Sequence, residues 1–281
     1  SAGHAITTGD DNVAVGYQAG LAITTGTKNT ALGSGALIAT DDGVSNTAIG
    51  AFAMGGGNAG NSNTAVGGQC LVDVTGNYNV AVGFQTLFDL TSGGENIGIG
   101  HSAGKLMNGA EAGNTIIGIG SMEDANNDST SKNVAVGNYT LNDIGTNAQV
   151  GVVAIGYEAL RLLTSGLRNT AVGYTSGYFA TTADNSTFIG YQAGLGVTGA
   201  KLTGNDNTAI GKDAGLLLQS SAHSNTLVGS TAGDAITSGF DNTCIGFGTS
   251  IVDGGAQNRT AIGAGAVSGA NNRVVIGNTS V

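Results

Sequence analysis

One short signal, an aliphatic residue followed by glycine, recurs about every 17 residues along the chain. The first two copies read NVAVG (12–16) and NTALG (29–33). We name the glycine of each copy the anchor. An array of this kind is typical of solenoids, whose repeats bury their apolar faces only against their neighbours. A single tandem-repeat domain over residues 1–281 is therefore predicted. The anchors lie 14 to 21 residues apart and are Gly16, Gly33, Gly50, Gly67, Gly83, Gly100, Gly118, Gly137, Gly156, Gly173, Gly190, Gly211, Gly229, Gly246, Gly263 and Gly277.

The residues before each anchor predict a β-strand. Three residues before it stands Thr, Val or Ile (the threonine column), and one residue before it stands Val, Ile or Leu (the aliphatic column). Residues two apart share one face of a strand, and β-branched residues favour the pleated backbone. We expect both columns to face the interior. The residue between them, usually Ala (the alanine column), is expected to face the other way.

Two further columns complete the predicted coil. Four residues before the anchor, twelve of the sixteen repeats carry Asn (the asparagine column), and stacked amides can form a ladder. Three residues after the anchor stands a small residue (the small column), as in Ala19 and Ser176, and a second short strand is expected there. The predicted fold is all-β, a parallel β-roll or β-solenoid of about sixteen coils with two short strands each.

Composition excludes several classes of function. Only nine basic residues are present against a net charge of −10, which opposes nucleic-acid binding. No apolar run reaches the ~20 residues that a membrane span needs. The three histidines and two cysteines fall in different coils, so neither a catalytic constellation nor a metal site is predicted. We expect no cofactor and no enzymatic activity.

A thin roll buries little, so we expect self-association. The alanine and small columns predict surfaces where backbones approach closely, and parallel chains around a common axis would use every coil equivalently. A homotrimer is predicted, although composition also permits a dimer. Ten repeats carry Thr in the threonine column. Because that column is expected to face inward, binding to ice is not expected.

Two features are candidate receptor contacts. The residue after the anchor (the aromatic column) is Tyr157, Tyr174 and Tyr191 in three consecutive repeats. Stacked rings stabilise neighbouring coils, but tyrosines can also serve as a platform for glycans. Wide anchor spacings place insertions at 122–132 and 196–206, where solenoids often bind and where turns also tolerate extra residues. The candidates there are Glu123, Asp124, Asn126, Asn127, Asp128 and Lys201.

The strand motif resembles the head repeats of trimeric autotransporter adhesins, with NVAVG (12–16, 133–137) and NTAIG (46–50, 207–211) the nearest matches. Those heads are left-handed parallel β-rolls, so the resemblance implies that handedness. The extended form NVAVGYQAG (12–20) and the longer coil depart from them and look like the repeat arrays of bacteriophage tail fibres. The segment NNRVVIGNTSV (271–281) is similar to the stretch before a self-cleaving chaperone domain in such fibres.

The resemblance implies a structural and adhesive segment of a trimeric fibre, located in a virion tail fibre or another extracellular appendage. Its partners would be identical chains and a glycan or protein receptor on a host cell. The head of a bacterial autotransporter adhesin is the alternative. A glycan-depolymerising tailspike, with acids contributed by adjacent chains, is an alternative of a different class.

Overall fold

A computed structural model of the chain describes residues 1–126, 129–144 and 147–278. The fold is an all-β parallel β-solenoid of about 15 turns with a spacing of about 17 residues, and the described residues form no helix. The chain divides into two compact units. The first comprises Ser1–Tyr139 and Gly145–Val150, and the second comprises Thr140–Ile144 and Gly151–Val281.

The first unit contains eight three-residue strands, each placed directly before an anchor. They pair in parallel and in register, so that Thr30 lies beside Thr47 and Leu32 beside Ile49. Every column of the sequence is therefore a row of neighbouring side chains in this unit. The strands are β1 (Val13–Val15), β2 (Thr30–Leu32), β3 (Thr47–Ile49), β4 (Thr64–Val66), β5 (Val80–Val82), β6 (Ile97–Ile99), β7 (Thr115–Ile117) and β8 (Val134–Val136).

The second unit repeats this arrangement and adds one short second ladder. Its main strands pair in parallel, with Thr187 beside Thr208 and Ile189 beside Ile210. They are β9 (Val153–Ile155), β10 (Thr170–Val172), β11 (Thr187–Ile189), β12 (Thr208–Ile210), β13 (Thr226–Val228), β14 (Thr243–Ile245), β16 (Arg259–Ile262) and β18 (Arg273–Ile276). The second ladder joins β15 (Ser250–Ile251) to β17 (Val267–Ser268).

The prediction of two strands per coil is wrong for most of the molecule. Among the described residues, a second strand occurs only at β15 and β17. Elsewhere the segment after the anchor is a series of turns, because its second and fourth residues adopt a left-handed backbone. In one coil these are Phe52 and Met54, with φ of 56° and 48°. Such residues cannot continue an extended strand.

The anchor glycines are fixed by a close approach of neighbouring coils. Gly16 has φ of 129°, and a Cβ added to it would lie 2.7 Å from the carbonyl oxygen of Gly33. Both the backbone conformation and the contact require a residue without a side chain. This explains why the glycine is the most regular feature of the sequence.

The strand faces point the opposite way from the prediction. The alanine column faces the interior, where Ala31, Ala48 and Ala65 are fully buried. The threonine and aliphatic columns face outward, and Leu32 and Ile99 remain 44% and 38% exposed. The reason is space: the interior also receives larger side chains from the turns, and only small strand residues fit beside them.

Those larger side chains come from the position four residues after the anchor, which we name the turn column. It supplies the fully buried Leu37 and Met54 in the first unit. Around β11 in the second unit it is Gly177 and Gly194, and the fully buried Phe188 of the alanine column fills the space, although Leu160 of the turn column is again large and buried. A Cβ on either glycine would overlap the ring of Phe188.

The predicted amide ladder is confirmed. The backbone N–H of Asn46 donates to Oδ1 of Asn29 at 2.9 Å, and Oδ1 of Asn46 accepts the N–H of Asn63 at 2.9 Å. The Asn46 Nδ2 donates to the carbonyl oxygen of Gly60 at 2.6 Å. Each buried amide thus satisfies a turn of the neighbouring coil, which stabilises both.

Candidate functional site

The outward strand face is a feature that the coils of each unit build together. In every repeat it carries one residue of the threonine column and one of the aliphatic column. Half-exposed aliphatic side chains such as Val82 and Ile97 in the first unit, and Ile155 and Ile245 in the second, therefore form rows along each unit. Soluble monomers rarely expose apolar patches beyond about 300–600 Å² without a function.

The small column is not a surface, which corrects the predicted location of the contact between chains. Ala36 and Ala53 in the first unit, and Ala193 and Ala232 in the second, are fully buried inside their own coils. The alanine column is buried in the same way. A second chain can reach neither column, so these two columns are not the surface through which copies could meet.

The three tyrosines of the aromatic column lie together, as the sequence predicts. The ring of Tyr174 stacks on Tyr157 at 5.2 Å and on Tyr191 at 5.5 Å between centroids, with interplanar angles of 13° and 10°. All three side chains are 40–48% exposed. Because the rings cover one another, their edges face outward, and the inner ring faces are not open to a sugar.

One end of this tyrosine row is closed by a cation. The Lys212 Nζ lies 5.8 Å from the centroid of the Tyr191 ring and forms an ion pair with Asp213. The hydrogen bond and the charge of Asp213 raise the pKa of the Lys212 ammonium above its ordinary value. The row therefore supports the interpretation as a stabilising ladder over that of a glycan platform.

The insertion residues lie on both units. Glu123 and Asp124 in the first unit are partly exposed and Asn126 is exposed, whereas Asn127 and Asp128 lie outside the described residues. Lys201 in the second unit is exposed and follows a small antiparallel bridge between Val197 and Ala200. The structure brings the three tyrosines together, while the acidic insertion belongs to the other unit.

The remaining reactive residues are dispersed. His101 stacks on Phe84 at 5.7 Å and His223 on Phe240 at 4.8 Å between centroids, so both extend aromatic ladders. Within the described ranges, no group of three or more His, Cys, Asp or Glu side chains could hold a metal ion.

Both cysteines are free thiols in the interior. Burial raises the pKa of Cys70 in the first unit and of Cys244 in the second to about 12. The thiolate that reacts with electrophiles is therefore scarce at neutral pH.

Sequence reasoning missed the orientation of the strand face, and a signal for it was present. The alanine column becomes Phe188 and Leu227 in two repeats whose turn column is glycine. A large residue matched to a glycine indicates a shared interior.

Searches for known relatives find no match: no protein-family model fits the chain, and no curated protein is significantly similar to it. The fold itself defines the class, a tandem-repeat β-solenoid. No helix among the described residues is long and apolar enough to cross a membrane.

Proposed function

We propose that this chain is a structural and adhesive segment of a homotrimeric fibre, a virion tail fibre or similar extracellular appendage that attaches to a host-cell surface. The observation that carries the proposal is the uncovered strand face that every coil repeats. A surface that is apolar, regular and parallel to the stacking direction of the coils is suited to identical chains that lie side by side.

The exposure of this face supports self-association. Six of the outward residues of β1–β8 are more than a third exposed, all of them aliphatic, and the other outward residues are partly exposed. The six are Val13, Val15, Leu32, Val82, Ile97 and Ile99. The second unit offers a face of the same kind, so both units favour the same mode of association.

The adhesive part of the proposal rests on the insertions. Solenoid loops on exposed surfaces commonly carry binding residues, and residues 196–201 extend from a coil whose neighbours have shorter turns. Lys201 and the acidic Glu123 and Asp124 offer charged groups to a host glycan or protein. The left-handed winding that the sequence resemblance implies belongs to the same proposal, and an adhesin head of the autotransporter type remains its alternative origin.

Native mass spectrometry tests the proposal directly. We expect a trimer that the Leu32→Asp variant weakens, because the new charge would be buried in the face between chains. The matched control is Ser165→Asp, at an exposed turn residue outside the strand face, which we expect to leave the trimer intact. A wild-type chain that remains a monomer at micromolar concentration would contradict the proposed assembly.

A second candidate function follows from the outward threonine column. The expectation against ice binding depended on an inward orientation, which is wrong. Thr208 and Thr226 instead lie on the open strand face beside Ile210 and Val228. A bare face of regularly spaced hydroxyl and aliphatic groups could bind ice, whereas a trimer would cover it. Thermal hysteresis in a solution of the monomeric chain would support ice binding, and the absence of hysteresis would exclude it.

A further inference from the structure

Two columns with hydroxyl groups border the aliphatic column in the second unit. On one side, the threonine column is unbroken over six strands. Within the described part of the chain, none of these hydroxyls bonds another protein group, which leaves them to solvent; the residues are Thr170, Thr187, Thr208, Thr226, Thr243 and Thr260. On the other side, two residues after the aliphatic column, lie the exposed tyrosines of the stacked row.

Burial of these hydroxyls between chains would require new partners. A hydroxyl that loses water without gaining a hydrogen bond costs about 1–3 kcal/mol on the scale of protein mutational data. Threonine and tyrosine hydroxyls can each donate and accept. A threonine column placed against a tyrosine row would therefore satisfy both, whereas a threonine column placed against aliphatic residues would not.

Symmetry decides which columns meet. When copies surround an axis parallel to the stacking direction, rotation brings one border of each face against the opposite border of the next. This holds for two copies as well as for three. If the copies are antiparallel, the same border meets itself and the coils run in opposite order.

We propose that the threonine column of one copy lies against the tyrosine row of the next copy, coil for coil, so that Thr187 faces Tyr191 and Thr170 faces Tyr174 across the interface. This proposal rests on the proposed assembly and specifies its contact. Tyr and Thr stand opposite each other in these two coils only, because Tyr157 would face Val153 and the aromatic column of the second unit carries no Tyr after Tyr191. The row is thus an interface element and not a receptor site.

Disulfide trapping tests the contact. The double variant Thr187→Cys/Tyr191→Cys places two thiols in one coil, on either side of the anchor Gly190. A disulfide within one chain would leave a single chain on the gel, so only a link between copies raises the apparent mass. Mild oxidation should therefore link neighbouring copies into a closed covalent oligomer, seen on a non-reducing gel, with the size of the assembly in native mass spectrometry.

Four controls define the result. Thr187→Cys alone and Tyr191→Cys alone should remain single chains, and the buried Cys70 and Cys244 should keep the oxidised wild type unlinked. The pair Thr187→Cys/Tyr174→Cys is shifted by one coil and should link far less. The pair Thr170→Cys/Tyr174→Cys repeats the test one coil away, in case the first pair disturbs folding.

The outcomes separate this contact from the assembly itself. An assembled protein in which neither matched pair links would overturn the contact and leave the fibre proposal standing. Linking of Thr187→Cys alone would overturn it in favour of another arrangement. A wild-type chain that is monomeric would overturn both.

Discussion

The coil around β3 in the first unit and the coil around β11 in the second fill the same interior from opposite columns. In the first unit the strand contributes Ala48, and the turn column of the same coil and the preceding one contributes Met54 and Leu37. Around β11 in the second unit the strand contributes Phe188, and the turn column contributes only Gly177 and Gly194, which have no side chain. The large strand residue thus occupies space that turn-column side chains occupy elsewhere.

The comparison also extends to the amide ladder. The asparagine column is unbroken through the first unit, where Asn63 and Asn79 are fully buried. In the second unit it is interrupted, for example at Ser186, which accepts the N–H of Asn207 through its hydroxyl at 3.2 Å. Each substitution below changes a residue in one of the two units. The rate of thiol labelling then reports which unit has become less stable, since Cys70 lies in the first unit and Cys244 in the second.

Phe188→Ala should have the largest effect. Removing a fully buried ring that two glycines accommodate leaves a cavity, and such losses cost about 3–5 kcal/mol. Chemical denaturation should show the loss, and thiol labelling should accelerate at Cys244 much more than at Cys70. Equal acceleration at both thiols would mean that the units do not unfold separately.

A compensating change sharpens the same test. Gly194→Leu alone should destabilise the chain, because the new side chain overlaps the Phe188 ring. Combined with Phe188→Ala it moves the side chain from the strand to the turn column, where Leu37 of the first unit adopts a left-handed φ of 49°. The double variant should therefore be more stable than either single one. Additive losses would refute the exchange of volume between columns.

These core positions show how far sequence alone could go. Spacing and β-branched residues predicted parallel stacking, strand positions and the asparagine ladder, because each depends on a pattern that repeats in every coil. The inward face was predicted wrongly, because alternation shows that Thr47 and Ile49 share a side but not which side is interior. The side was set by Leu37 and Met54, which come from turns.

The candidate site was likewise predictable where it depends on the repeat and not where it depends on side-chain conformation. The adjacency of Tyr157, Tyr174 and Tyr191 could be predicted because it depends only on register. That their ring faces cover one another depends on side-chain rotation, which spacing does not determine. The prediction of a second strand was wrong for a related reason. The left-handed positions that interrupt it are occupied by residues such as Gln69 and Leu71, and no glycine marks them in the sequence.

Asn63→Ala should have an intermediate effect. The substitution removes the acceptor of the Asn79 N–H, which is Asn63 Oδ1, and the donor to the carbonyl oxygen of Gly76, which is Asn63 Nδ2. Buried groups left without partners cost about 1–3 kcal/mol. Ser186→Ala, where the ladder is carried by one hydroxyl, should cost less. Labelling of Cys70 and of Cys244 measures the two losses separately, and a larger loss at Ser186 would contradict the ladder's role.

Tyr174→Ser should have the smallest effect on stability, about 1 kcal/mol, because it removes two stacked contacts from a partly exposed row. Phe84→Ser in the first unit removes one contact, with His101, and should cost less. Both are measured by chemical denaturation at concentrations where the variants share the assembly state of the wild type. If Tyr174→Ser leaves the free energy of unfolding unchanged, the row does not stabilise the coils, and its stacking reflects register alone. If the variant instead loses assembly while each chain keeps its stability, the row acts between copies, and its energetic contribution belongs to the interface.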